Sequence, residues 1–221
     1  MSKEKRARRA RDEKNRKLSP AEERRLAHFN EVCEELRAAG YEQHDLTISI
    51  VAANLAVLIA AIPVFVIGFF AYYKVNGSIL SEGPAHLPVL LFLVIYLVLI
   101  VVHELVHGIT WSIFSEHHLK DIEFGIMKEY ATPYCTCAAP LSRGAYLAGG
   151  LMPLIVLGII PAIIAIAAGS VFWLLIGLIM ILSAGGDVMI AIKMIRYRSA
   201  AKDVLYYDHP TQGGLVVFEK M

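Results

Sequence analysis

This sequence has little cysteine, almost no net charge and no apolar segment close to its N-terminus. Its 221 residues include three cysteines, which are too few for a disulfide scaffold and typical of a reducing compartment. The formal net charge is +1, so no overall attraction to nucleic acid is indicated and we expect no nucleic-acid partner. No apolar core precedes residue 46, and we therefore expect the first apolar span to act as its own targeting signal.

Apolar residues are abundant, and they are unevenly distributed along the chain. Hydrophobic residues make up 57% of the sequence, whereas the first 45 residues are mostly charged and polar. Residues 46 to about 195 hold nearly all of the long apolar runs. An ordinary soluble domain does not have this composition, so the sequence predicts an integral membrane protein, which we place in the cell membrane.

The polar N-terminal part divides into a basic tail, residues 1–18, and an amphipathic helix with a linker, residues 19–45. We interpret the tail as disordered and topology-fixing, with binding to anionic lipid headgroups or RNA as the alternative. Ser19 and Glu22 have capping-box spacing, and Gly40 would end the helix. Its apolar face predicts packing on the membrane surface or on the rest of the domain, and consists of Leu26, Phe29, Val32, Cys33 and Leu36.

Four apolar runs are each long enough to cross about 30 Å of hydrocarbon. They predict a mainly α, polytopic domain over residues 46–198 with four transmembrane helices, at about 47–73, 87–114, 144–168 and 170–195. The connection 74–86 is poor in Lys and Arg, while the N-terminal tail and the segment after the fourth run are basic. The positive-inside rule therefore places both termini in the cytoplasm.

Two segments have the pattern of strands instead. Residues 115–143 alternate weakly, are rich in Tyr, Phe, Ile and Thr, and predict a cytoplasmic β-hairpin between the second and third spans. Residues 199–221 have a strand–turn–strand pattern, which predicts a cytoplasmic tail that contains strands.

Three ionisable residues, His103, Glu104 and His107, interrupt the second apolar run in the stretch VVHELVHG. An ionisable group in a membrane helix is costly, so such a cluster favours a functional role. The two histidines are four residues apart and project from one helix face, which suits two nitrogen ligands of one zinc ion. Glu104 is placed to accept a proton from a water molecule whose pKa zinc lowers toward about 7. The pattern predicts a zinc site with Glu104 as its catalytic base.

A zinc site of this kind needs a third protein ligand, for which we predict Asp187. It is the only ionisable residue deep within the fourth run, and Gly185 and Gly186 beside it permit close helix approach. At 1.5 Å per residue, His107 and Asp187 lie roughly 10 and 12 Å from the same cytoplasmic surface. The alternatives are Glu116, His117, His118, Glu123, Glu129 and the pair Cys135 and Cys137. Asp208 and His209 are expected to cap a turn.

An HExxH pattern in one membrane helix and an aspartate in a later one resemble the site-2 protease class of intramembrane metalloproteases. GGLMP at 149–153 lies where that class has a proline-containing motif, without the usual asparagine. The chain is more similar to a bacterial family of zincin membrane peptidases, long catalogued as a domain of unknown function. HELVHG, AGGD and DHP carry this resemblance, which covers residue 40 to the end and implies a peptidase fold with zinc as cofactor.

The sequence therefore predicts a zinc-dependent membrane metalloprotease that hydrolyses membrane or membrane-proximal proteins near the cytoplasmic face. Its expected partners are a membrane protein or peptide substrate and the lipid bilayer, with the oligomeric state open. The hairpin edge could hold an extended substrate by β-addition, or the hairpin could be a simple connector. The alternative function is a non-catalytic membrane zinc-binding scaffold or sensor, and a third is a metal transporter. Glu104 favours the protease, because a structural zinc site has no use for an unligated carboxylate.

Overall fold

The computed structural model describes residues 18–79, 89–127 and 132–221, which form a mainly helical molecule with two small sheets. The basic tail, most of the 74–86 connection and Glu129 lie outside these ranges. The helices are α1 (Pro20–Ala38), α2 (Ile50–Asn76), α3 (Val89–Phe114), α4 (Arg143–Pro153), α5 (Ile160–Ala168), α6 (Val171–Ser183) and α7 (Gly185–Arg196). The strands are β1 (Glu42–Thr47), β2 (Ile122–Met127), β3 (Thr132–Cys137), β4 (Leu141–Ser142), β5 (Asp203–Asp208) and β6 (Gly214–Lys220).

Several of these helices could cross a membrane. By length and composition, α2, α3 and the continuous helical segment Arg143–Ala168 each qualify, while α6 and α7 qualify only as a pair. The described part of the chain thus holds three candidate spans, or four if the bent pair counts as one. Large apolar side chains such as Ile62 and Leu90, both 72% exposed, cover the outer faces of α2 and α3. A mainly helical chain with several apolar spans is confirmed, and the four-span topology stays a prediction.

The third and fourth predicted spans are less regular than one helix each. A π-helical turn, Leu154–Ile159, separates α4 from α5 directly after Pro153, which has no N–H for the helical ladder. The fourth span bends by 46° at Ala184, between α6 and α7, because the glycines that follow disfavour a straight helix. Asp187 consequently lies in the first turn of a separate helix and not deep within a single long one.

A four-stranded antiparallel sheet with the order β1-β6-β5-β4 lies against the helices. The hairpin β5–β6 is the strand–turn–strand tail that the sequence predicts. The linker was expected to extend to residue 45, but residues 42–47 form the edge strand β1, which pairs with β6 over its whole length. The residues of β1 are mostly exposed and do not alternate between apolar and polar. The strand is therefore held by main-chain pairing with β6.

Helix α1 packs on this sheet, as the second of the two predicted alternatives has it. Its capping box forms as predicted, with Ser19 accepting from the main-chain N–H of Glu22. The apolar face of α1 contacts the sheet in one buried cluster, formed by Phe29, Val32, Cys33, Tyr207, Val216 and Phe218. This packing fixes α1 beside the turn between β5 and β6.

The predicted β-hairpin between the second and third spans is present as β2 and β3, with Ile122 opposite Cys137. It lies directly on α3 because Gly108 leaves room for it. A Cβ atom at Gly108 would stand 2.6 Å from the ring of Phe124. This close approach brings β3 next to the residues that the sequence selects for chemistry.

Candidate metal centre

The structure brings His103, His107 and Asp187 together, although 84 residues separate His103 from Asp187 in sequence. The histidines lie one turn apart on the buried face of α3, and Asp187 faces them from α7. One ligand atom from each residue lies within 4.8 Å of the other two, and no other such group of His, Cys, Asp or Glu occurs among the described residues.

The spacing of these atoms fits a zinc ion. His103 Nε2 lies 3.2 Å from both His107 Nε2 and Asp187 Oδ2, and His107 Nε2 lies 3.5 Å from Asp187 Oδ2. A tetrahedral zinc site with bonds of about 2.0–2.1 Å has ligand–ligand edges of about 3.3–3.4 Å. The three atoms therefore form one face of such a tetrahedron and leave its fourth corner for water or substrate.

The imidazole of His107 is held in the orientation that a metal ligand needs. Its Nδ1 donates to the carbonyl oxygen of Gly149 at 2.8 Å, which leaves the Nε2 lone pair free for the metal. The ring also stacks on Trp111, with centroids 5.1 Å apart and planes 16° from parallel. Trp111 in turn donates from Nε1 to the main-chain oxygen of Tyr146 at 3.2 Å. Helix α4 thus supplies the outer support of His107.

His103 has a different environment. Its Nε2 faces Asp187 and His107, while its Nδ1 is buried without a hydrogen-bond partner among the described residues. Orientation of His103 therefore comes from the packing of α3 and from the atoms that its Nε2 faces.

Glu104 stands beside this cluster and outside it. Its carboxylate lines the same cavity as the three candidate ligands and lies on the side of the main-chain N–H of Cys135 on β3. The side chain thus shares the cavity with the candidate ligands without being part of the ligand set.

A cavity of about 540 Å³ surrounds the cluster and has two chemically different ends. Toward the membrane-spanning helices it is lined mainly by apolar side chains, such as Ala53, Val57 and Leu182. Toward the sheets it is lined by polar groups, including Arg25 of α1 and Thr136 of β3. The three candidate ligands line the same cavity.

The other ligand candidates have partners of their own or lie apart. His117 Nδ1 lies 3.2 Å from Asp121, and His118 Nδ1 donates to the main-chain oxygen of Ser112 at 2.9 Å. Glu123 lies 3.9 Å from Arg25, and Glu116 is exposed.

The two cysteines of β3 also stay outside the cluster. Burial is the main cause that raises the pKa of Cys137 to about 12 and the pKa of Cys135 further. Both thiols are therefore protonated at neutral pH in the metal-free protein.

Asp208 and His209 were both expected to cap a turn, and this is correct for His209 alone. His209 Nδ1 accepts from the main-chain N–H groups of Thr211 and Gln212 at 3.3 and 3.1 Å. Asp208 instead directs its carboxylate to β3 and α4, at the wall of the cavity. The DHP motif draws attention to Asp208 in the sequence. The motif alone does not show whether the side chain of Asp208 caps a turn or contacts the site.

Residues 96–202 match the model of a family described as "Putative zincin peptidase". The match covers just under half of the chain and includes His103, Glu104, His107 and Asp187, but it ends before Asp208. No curated protein and no solved structure matches the chain. The family match supports the zincin class, and with it a zinc metallopeptidase, while the similarity to site-2 proteases rests on the sequence resemblance alone.

Proposed function

We propose that this chain is a membrane-embedded zinc metalloprotease that hydrolyses peptide bonds of membrane or membrane-proximal proteins near the cytoplasmic face. The observation that carries the proposal is the spacing of His103, His107 and Asp187, which fits one face of a zinc tetrahedron. The zincin family match supports the reaction class, and the apolar helices support the membrane setting.

Each residue of the site has a distinct role in this proposal. His103, His107 and Asp187 hold the zinc ion, which when bound lowers the pKa of water and polarises the substrate carbonyl. Glu104 accepts the proton of the attacking water at its carboxylate and passes it to the nitrogen of the leaving amine. The main-chain N–H of Cys135 orients the Glu104 carboxylate for both transfers. Gly149 keeps Nε2 of His107 directed at the metal.

The two ends of the cavity indicate how a substrate would lie. An apolar part fits between α2, α3 and α6, and a polar, extended part fits along β3 toward α1. Addition of a substrate strand to the outer edge of β3 has less support. The N–H of Cys137 is bonded to Asp208, that of Cys135 faces Glu104, and Pro133 has none. Strand addition there would have to displace two carboxylates.

The packing also supports a cytoplasmic location for both termini. Helix α1 packs on β5 and β6, and Arg25 of α1 hydrogen-bonds to the hydroxyl of Tyr134 in the hairpin. These three elements must therefore lie on one side of the membrane. Lys and Arg are concentrated in the tail before α1 and in the segment between α7 and β5, so this side is the cytoplasm by the positive-inside rule.

The variant Glu104→Gln tests the proposal. The amide has nearly the same shape but cannot accept the proton, so zinc should stay bound while turnover falls by a factor of about 10²–10⁴. Cleavage would be followed with a degenerate library of quenched fluorogenic peptides in detergent micelles, alongside zinc measured by mass spectrometry on the same sample. Glu116→Gln, an exposed glutamate two residues past α3, is the matched control and should behave as the wild type.

Two results would contradict the proposal. Full turnover in Glu104→Gln would remove this residue from the chemistry. A zinc-loaded wild type that cleaves no faster than Glu104→Gln would favour the scaffold or sensor instead.

A further inference from the structure

Asp208, the last residue of β5, makes contacts that neither the proposed chemistry nor the turn after it requires. Its Oδ2 accepts from the main-chain N–H of Cys137 at 2.8 Å and from Thr136 Oγ1 at 3.1 Å. Its Oδ1 accepts from the hydroxyl of Tyr146. One partly buried carboxylate thus joins three elements, β5, β3 and α4, at the wall of the cavity.

The turn between β5 and β6 does not depend on this side chain. The main-chain N–H of His209 donates to Gly214 at 3.0 Å, and the His209 ring accepts from two further N–H groups of the turn. The side-chain hydrogen bonds of Asp208 go elsewhere, to the two elements that support the site.

We propose that Asp208 is a positioning residue of the peptidase site: it fixes β3 so that the Cys135 N–H holds the Glu104 carboxylate. This inference rests on the proposed function. In a strand, alternate residues direct their N–H groups to the same edge, so the N–H groups of Cys137 and Cys135 point to one side of β3. Asp208 takes the first of them, and Glu104 faces the second.

The bond to Tyr146 extends the same role to His107. The Tyr146 hydroxyl donates to Asp208, and its main-chain oxygen accepts from Trp111, on which His107 stacks. Gly149, three residues further along α4, accepts from His107 Nδ1. Asp208 therefore contacts β3, which faces Glu104, and Tyr146, which supports His107 through Trp111. It hydrogen-bonds to neither Glu104 nor His107.

Two substitutions at Asp208 and one elsewhere on β5 test this role. In Asp208→Ala all three bonds are lost, and kcat per bound zinc should fall by about 10–100-fold with KM little changed, as for other outer-sphere supports. In Asp208→Asn the amide oxygen still accepts from Cys137 and Thr136, and the NH2 group can donate to Tyr146, so most of kcat should remain. The matched control is Asp203→Ala on the same strand, which removes an exposed carboxylate bonded to Tyr41 and should leave kcat unchanged.

Hydrogen–deuterium exchange of residues 132–137 provides a readout that needs no substrate. Exchange should rise in Asp208→Ala and stay at the wild-type level in Asp208→Asn and Asp203→Ala. If Asp208→Ala does not yield folded protein, Tyr146→Phe removes a single bond and should lower kcat less, in the same direction. The kinetic probe is the fluorogenic peptide that the wild type cleaves fastest in the degenerate library.

Each contrary outcome has a separate meaning. Equal kcat and equal exchange in Asp208→Ala and Asp203→Ala would overturn the positioning role. Equal losses of kcat in Asp208→Ala and Asp208→Asn, with unchanged exchange, would also overturn it, because Asp208 would then act on protons directly. If the zinc-loaded wild type cleaves nothing, the proposed function fails, and the exchange data still decide whether Asp208 holds β3.

Discussion

The two walls of the cavity differ in what they contribute to the candidate site. The helical wall, formed by α2, α3, α6 and α7, carries the three candidate zinc ligands and Glu104. The strand wall, formed by β3, the end of β5 and the turn after it, carries Asp208, which contacts β3 and α4. The helical wall thus carries the residues proposed to do chemistry, and the strand wall carries Asp208 and the Cys135 N–H, which are proposed to position them. The difference predicts distinct phenotypes for variants in the two walls.

The largest expected effect is the loss of zinc from the helical wall. Asp187→Ala and His103→Ala should each reduce bound zinc from about one per chain to nearly none, because two remaining ligands do not hold the ion. Asp208→Ala in the strand wall should keep its zinc. Metal content of the purified, membrane-inserted variants, measured by mass spectrometry, checks this contrast.

The control for His103→Ala is His117→Ala, since His117 is an exposed histidine that pairs with Asp121. Unchanged zinc in Asp187→Ala would return the third-ligand role to Glu123, Glu129 or the two cysteines of β3. Loss of zinc in Asp208→Ala would remove the distinction between the two walls.

A smaller loss of stability and of zinc affinity is expected from a substitution on α4, which packs against α3. A Cβ atom at Gly149 would stand 2.1 Å from the Trp111 ring, so Gly149→Ala must displace the indole that supports His107. Overpacking of this kind costs about 1–3 kcal/mol of the free energy of unfolding. The thermal unfolding midpoint in detergent should fall, and zinc should bind more weakly.

Gly144→Ala provides the comparison on the same helix, because nothing lies within 4 Å of a Cβ atom at Gly144. Its midpoint should equal that of the wild type or exceed it slightly, as alanine favours a helix over glycine. Equal midpoints and zinc affinities for the two variants would show that the contact between Gly149 and Trp111 does not support the site.

The difference between the walls also explains what could be predicted from the sequence. Ionisable residues are costly in an apolar helix, so His103, Glu104 and Asp187 are conspicuous in their runs. Asp208 ends a short strand and precedes a turn, where an aspartate is ordinary. Trp111 and Gly149 could not be selected from the sequence either. Their contacts with His107 depend on how α3 and α4 pack, which the hydrophobic periodicity of the sequence does not specify.

The fold shows a similar division. Long apolar runs predict the helices, and the capping box at Ser19 and Glu22 marks the start of α1. The pattern could not show β1, because an exposed edge strand gains its order from its partner β6. It also could not show the bend at Ala184, since composition alone treats α6 and α7 as one apolar run. In both cases the missing information is tertiary.

The central claim is a zinc ion held by His103, His107 and Asp187, and X-ray absorption at the zinc edge tests it most directly. Purified wild-type protein should show only nitrogen and oxygen neighbours, at about 2.0–2.1 Å, and no sulfur shell near 2.3 Å. Asp187→Ala, supplied with excess zinc, should lose this signature. A sulfur shell in the wild type would place the metal at Cys135 and Cys137 instead and contradict the account.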